Sequence, residues 1–60
     1  MEMLKKVRHK NKLTQIEMSS LLGVSISYYV KVENGIVKPG RNFIKRFSDC
    51  FPYEDIRGLL

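Results

Sequence analysis

Four side chains near the middle of the chain, Ile26, Ser27, Val30 and Lys31, are spaced i, i+1, i+4, i+5, which puts them along one side of a helix. An ammonium, a hydroxyl and two β-branched apolar groups form a set suited to recognition: they can donate hydrogen bonds and pack on flat surfaces. They cannot make or break bonds by themselves. No Ser/His/Asp set, paired inward carboxylates or glycine-rich phosphate loop accompanies them. Cys50 and His9 lack zinc-ligand spacing, so no metal is expected. Catalytic residues are none, no cofactor is implied, and the chain does not read as an enzyme.

The elements that must hold this stripe are local and punctuated. Thr14 to Glu17 is a T-x-x-E pattern, whose hydroxyl and carboxylate can satisfy the free N–H groups of a helix start. This sets helix 2 at residues 14–22, with Met18 and Leu22 on one face. Gly23 ends it, because glycine tolerates the left-handed backbone of a sharp turn. Ser25 is a good N-cap for helix 3, at about 25–34, in which Tyr29 and Val32 point inward and Asn34-Gly35 closes the segment.

Two helices joined by a tight glycine turn over a shared apolar seam make a helix-turn-helix. Through Leu13-Thr14-Gln15, Met18, Leu22-Gly23-Val24-Ser25, Glu33-Asn34-Gly35 and Pro39, the chain resembles the Cro/C1-type (XRE) family of DNA-binding domains, over roughly residues 4–56. The resemblance implies an all-α fold of five short helices, like the lambda-repressor DNA-binding domain, with residues 1–60 as one domain.

The remaining helices follow from the apolar pattern. Residues 3–11 read as helix 1, with Leu4 and Val7 inward. Residues 41–51 read as helix 4, with Phe43, Phe47, Cys50 and Phe51 as its apolar stripe and Cys50 as a small core side chain. Pro52 breaks helix 4 and opens a fifth helix over 53–59.

On a helix-turn-helix, the Ile26, Ser27, Val30 and Lys31 stripe enters the major groove of double-stranded DNA. Lys31 can donate to guanine O6 and N7, Ser27 can meet several base edges, and Ile26 or Val30 can pack on a thymine methyl. Phosphate contacts are expected from Gln15 at the start of helix 2, from the Tyr28 hydroxyl, and from Asn34, Lys38 and Arg41 after helix 3. In the family, an arginine in helix 1 pairs with the glutamate of the E-N-G ending, which assigns Arg8 and Glu33 as a structural ion pair. Lys45, Arg46 and Arg57 read as ordinary surface charges.

Charge supports a nucleic-acid partner by its distribution more than by its size. Residues 1–12 carry +4, residues 13–35 carry −1 and residues 36–60 carry +2, giving +5 in all. The reading helix is nearly neutral, and the segments on either side are basic, as suits base readout held down by phosphate contacts. Sixty residues bury only about 60% of the unfolded surface, and one cysteine allows no internal disulfide. Association with a second copy is therefore expected to help, and a reducing cytoplasmic setting fits.

No apolar run reaches membrane length, so no membrane partner is implied, and no small-molecule ligand is expected. The function these residues imply is a DNA-binding transcriptional regulator, a small Cro-like repressor that occludes a promoter as a homodimer on its operator. The rival is an antitoxin-type or other protein-interaction module of the same fold, using Ile16, Leu21, Ile36 and Val37, apolar residues where the family usually has polar ones.

Overall fold

A computed structural model describes all of residues 1–60. Four α-helices, α1 (Glu2–Lys10), α2 (Gln15–Leu22), α3 (Ile26–Glu33) and α4 (Arg41–Cys50), are followed by a 3₁₀ turn, Ile56–Leu59, and there are no strands. None of these helices is long and apolar enough to cross a membrane.

Each boundary has a local cause. Both halves of the capping box form: the Glu17 N–H donates to Thr14 Oγ1 at 3.1 Å, and the Thr14 N–H donates to Glu17 Oε1 at 2.8 Å. These bonds hold the exposed Glu17 carboxyl below the usual glutamate range. Gly23 takes φ +68° and ends α2, its N–H donating to the Ser20 carbonyl while that of Val24 donates to Ser19. Ser25 Oγ then accepts from the Tyr28 N–H at 3.1 Å and opens α3.

One core holds the helices together: Leu4, Val7, Met18, Leu22, Tyr29, Val32, Phe43, Phe47 and Leu59. Tyr29 stacks on Phe43 with ring centroids 6.3 Å apart, and Tyr28 meets the same ring edge-on at 6.0 Å. Buried Ser19, whose hydroxyl donates to the Ile16 carbonyl, lets α2 pack closely without a large side chain.

Two expectations change at the C-terminal end. The fifth helical segment is one 3₁₀ turn at 56–59, because the Asp55 carboxylate accepts from the Arg57 N–H and fixes the start there instead of at residue 53. Cys50 is exposed, its thiol facing the Leu21 carbonyl, because Phe51 packs on Phe47 at 5.1 Å and fills that end of the core. Leu59 is buried at 3% exposure while Leu60 is exposed at 84%, so only the second is available to a partner.

Candidate nucleic-acid interface

Tyr29, Val32 and Glu33 are the buried residues of α3, and they define its inner side. At 100° per residue, Ser27 and Lys31 fall almost opposite them, and both are exposed. Asn34, the C-cap at φ −83° and ψ 0°, continues that line outward. Ile26 is exposed on one shoulder and Val30 is half-buried beside it, so Val30 is the most recessed of the four stripe residues. The side chains of Ser27, Lys31 and Asn34 have no hydrogen-bond partner in the protein, which leaves their donors free.

What aims this face is a buried polar cluster on the other side of the helix. The Glu33 carboxylate receives Arg8 Nε at 2.9 Å and Arg8 Nη2 at 3.2 Å, so the guanidinium engages both oxygens. It also accepts from Gln15 Nε2 at 3.1 Å and from the Tyr29 hydroxyl. Arg8 Nη1 reaches the Leu13 carbonyl at 3.1 Å. The N-terminal amine of Met1 donates to the Glu33 backbone carbonyl. Side chains from α1, α2 and α3 thus converge on one carboxylate that is 2% exposed.

Burial alone would push the Glu33 carboxyl up, but the hydrogen bonds from Arg8, Tyr29 and Gln15 outweigh it and hold the group below the ordinary glutamate range. Glu33 in turn pushes the Arg8 guanidinium higher. Burial, reinforced by the same carboxylate, pushes the Tyr29 phenol up. All three groups keep the protonation state that satisfies the cluster.

The residues assigned to phosphates divide into two groups. Lys38 and Arg41 are exposed, in and just beyond the loop that leaves α3. Gln15 and Tyr28 are half-buried and already employed. Gln15 lends one amide hydrogen to Glu33, and the Tyr28 oxygen accepts from the Gly40 N–H at 3.1 Å. The Tyr28 contact pins the start of α4 to α3, and the phenol retains its own proton as a donor. The loop is further held by the Ile36 and Val37 N–H groups, both of which donate to the Lys31 carbonyl.

Elsewhere Lys10 pairs with Glu54 at 2.9 Å and Arg57 with Asp55 at 2.6 Å, and Arg57 depresses the Asp55 carboxyl. Lys5, Lys6, Lys12, Lys31, Lys38, Arg41, Lys45 and Arg46 have no carboxylate partner. The positive charge that remains is therefore distributed around the helix-turn-helix and free to meet an anion.

Sequence reasoning did not place Gln15 on Glu33, Tyr28 on Gly40, or Arg46 on α2. The Tyr29–Glu33 bond had a visible signal, since the two residues are four apart on one helix. The other three join residues 12 to 25 positions apart, and no local pattern announces them.

A family model described as a helix-turn-helix domain matches residues 1–51. The chain belongs to that family, consistent with a domain of the Cro/C1 (XRE) type. Comparison with curated proteins and with solved structures gives no match.

Proposed function

We propose that residues 1–60 act as a single domain that binds double-stranded DNA sequence-specifically and regulates transcription as a small Cro-like repressor, by occluding a promoter. The observation that carries this reading is the free line of Ser27, Lys31 and Asn34 on a helix whose opposite side is locked by Glu33. Lys31 and Ser27 would read base edges from the major groove, with Ile26 and, more shallowly, Val30 packing on thymine methyls. Lys38, Arg41, Asn34 and the remaining hydrogens of Gln15 and Tyr28 would lie along phosphates. Action on DNA would place the protein in the cytoplasm.

A single helix-turn-helix reads few base pairs, so a homodimer on two half-sites is part of the reading. The surface that best supports it is the shallow groove between α4 and the C-terminus, formed by Ile44, Ile56 and Leu60 with Arg41, Lys45 and Asp49 on its rim. Leu60, exposed at 84% on the wall of this groove, could pack against its counterpart in a second copy, and the rim carries both charge signs, as a two-fold contact needs.

Selection of bound sequences from a random DNA pool, followed by salt titration, tests the reading. Affinity should fall with salt at a log–log slope of about −0.9 per neutralised phosphate. A flat salt response would sink it. The second reading, a protein-interaction module, is favoured by Ile16, Leu21, Ile36 and Val37, all exposed, Ile16 and Ile36 most of all at 67% and 71%. Co-purification of a stoichiometric protein that buries those residues would decide for it.

A further inference from the structure

We propose that Arg46, on α4, is a positioning residue that clamps the turn between α2 and α3 and so fixes the angle at which α3 is presented. Its Nη2 donates to the Leu21 carbonyl at 3.3 Å, across 25 residues of sequence. That carbonyl lies in the last turn of α2, where helix geometry leaves oxygens without a partner. The Gly23 and Val24 N–H groups satisfy the Ser20 and Ser19 carbonyls, and neither reaches Leu21, whose oxygen otherwise receives the Cys50 thiol of the same helix as Arg46, a weak donor at 3.6 Å. A positive charge at this end also meets the negative end of the helix dipole.

The same guanidinium lies against Gly23. A Cβ added there would sit 3.0 Å from Nη2, 3.2 Å from Cζ and 3.6 Å from Nε of Arg46. Gly23 therefore serves twice: its φ of +68° makes the turn, and its missing side chain admits the guanidinium. A planar group suits this contact, where a lysine ammonium would not cover the glycine.

The consequence lies in what the pivot joins. Only Gly23, Val24 and Ser25 separate the end of α2 from the start of α3. In a helix-turn-helix, one helix crosses the DNA backbone while the next enters the groove, so a small rotation at the pivot moves base-reading side chains off their partners. Phe43 and Phe47 root α4 in the core. Through Arg46, α4 ties the pivot to that core. Arg46 itself needs no contact with DNA.

The inference rests on the DNA-binding reading for its second measurement only. The first is amide hydrogen exchange in Arg46→Met, which keeps much of the aliphatic stem and removes the guanidinium. Because Arg46 is exposed, the variant should fold. The Gly23 and Val24 amides should exchange about three- to tenfold faster relative to those of α1, the size expected for one lost hydrogen bond. Unchanged relative exchange would overturn the clamp, whether or not the protein binds DNA.

The second measurement is affinity for a selected DNA site, at a temperature where both proteins are folded. Arg46→Met should bind about three- to tenfold more weakly with the salt slope unaltered. A slope shallower by about 0.9 would mean that Arg46 is a phosphate contact, and unaltered affinity would mean that the turn needs no clamp; either outcome overturns the proposal. If the parent protein binds no DNA, the functional reading fails, and the exchange data still decide on Arg46.

Discussion

The inner and outer sides of α3 are built on opposite rules. Inward, Glu33 is nearly inaccessible and receives donors from Arg8, Gln15 and Tyr29. Outward, the side chains of Ser27 and Lys31 make no hydrogen bond within the protein and are exposed. The inner side shows where a 60-residue chain places its scarce rigidity. Three helices are cross-linked through one carboxylate, and the helix that carries the free donors is held in one orientation. Side chains on a rigid element lose less freedom on binding than side chains on a mobile one, so the buried cluster favours the exposed face without touching its ligand.

The largest expected effect breaks the inner side. Arg8→Met leaves the Glu33 carboxylate without its cation, and Glu33→Gln leaves the guanidinium without its anion. Removing one partner of a buried pair costs roughly 3–5 kcal/mol. A domain of this size has a total stability of about 3–9 kcal/mol, so either variant should lose much of its folded population by thermal melting. Losses below about 1 kcal/mol would place the pair with exposed ones and remove the contrast between the two sides.

The same cluster fixes a pH dependence, and its sign follows from Glu33. Its folded-state carboxyl titrates below the unfolded value of 4.5, so the unfolded chain takes up the proton first as pH falls. The stabilisation is complete above about pH 5 and declines below 4.5, towards the lower folded value. Glu17 and Asp55 shift in the same direction but are exposed and screened, so they should add little. Urea midpoints between pH 3 and 7 should therefore drop on the acid side, and Glu33→Gln should flatten most of that drop. A parent curve without an acid limb would mean that Glu33 is not stabilised as its hydrogen bonds imply.

The contrast also explains what was legible in the sequence. The turn and cap residues, Thr14, Glu17, Gly23 and Ser25, act on backbone within three positions of themselves, and α2 begins and ends, and α3 begins, where those residues dictate. Tyr29 and Val32 were legible as core from their spacing. Arg8 and Glu33, 25 residues apart, were legible only through a family resemblance.

Near the C-terminus local signals compete. Pro52 permits a helix start, but Asp55 supplies the actual cap. A single 3₁₀ turn there buries Leu59 and leaves Leu60 exposed. Cys50 lost its expected place in the core because Phe51, one position on, is larger and packs against Phe47.

On the outer side the expected effects are smaller and of a different kind. Lys31→Ala should leave the melting temperature nearly unchanged, since its ammonium has no partner, and relax preference at one base pair of each half-site by about 1–3 kcal/mol. Lys38→Ala should weaken all sequences about equally, because phosphates carry no sequence information. Repeating the sequence selection with each variant distinguishes the two. An unaltered preferred sequence in Lys31→Ala would show that the exposed line of α3 is not the reading face.

Tyr28 sits on the seam between the two sides, and its replacement is expected to do least. The ring packs edge-on against Phe43, which Tyr28→Phe preserves, and only the bond from the Gly40 N–H is lost. Because Gly40 is exposed, water can take over that N–H, so the stability cost should fall at or below the lower end of about 0.5–1.5 kcal/mol. The hydroxyl nevertheless ties α3 to the start of α4, and the segment between them carries Lys38. Loosening that tie should lower affinity a few-fold for every site alike, with the base preference intact. The salt slope adds a finer distinction: a drop of about 0.9 would show that the phenol also donates its proton to a phosphate, and an unaltered slope would leave it as a strut. A changed preference at any single base pair would contradict both roles and move Tyr28 into the reading set beside Ser27 and Lys31.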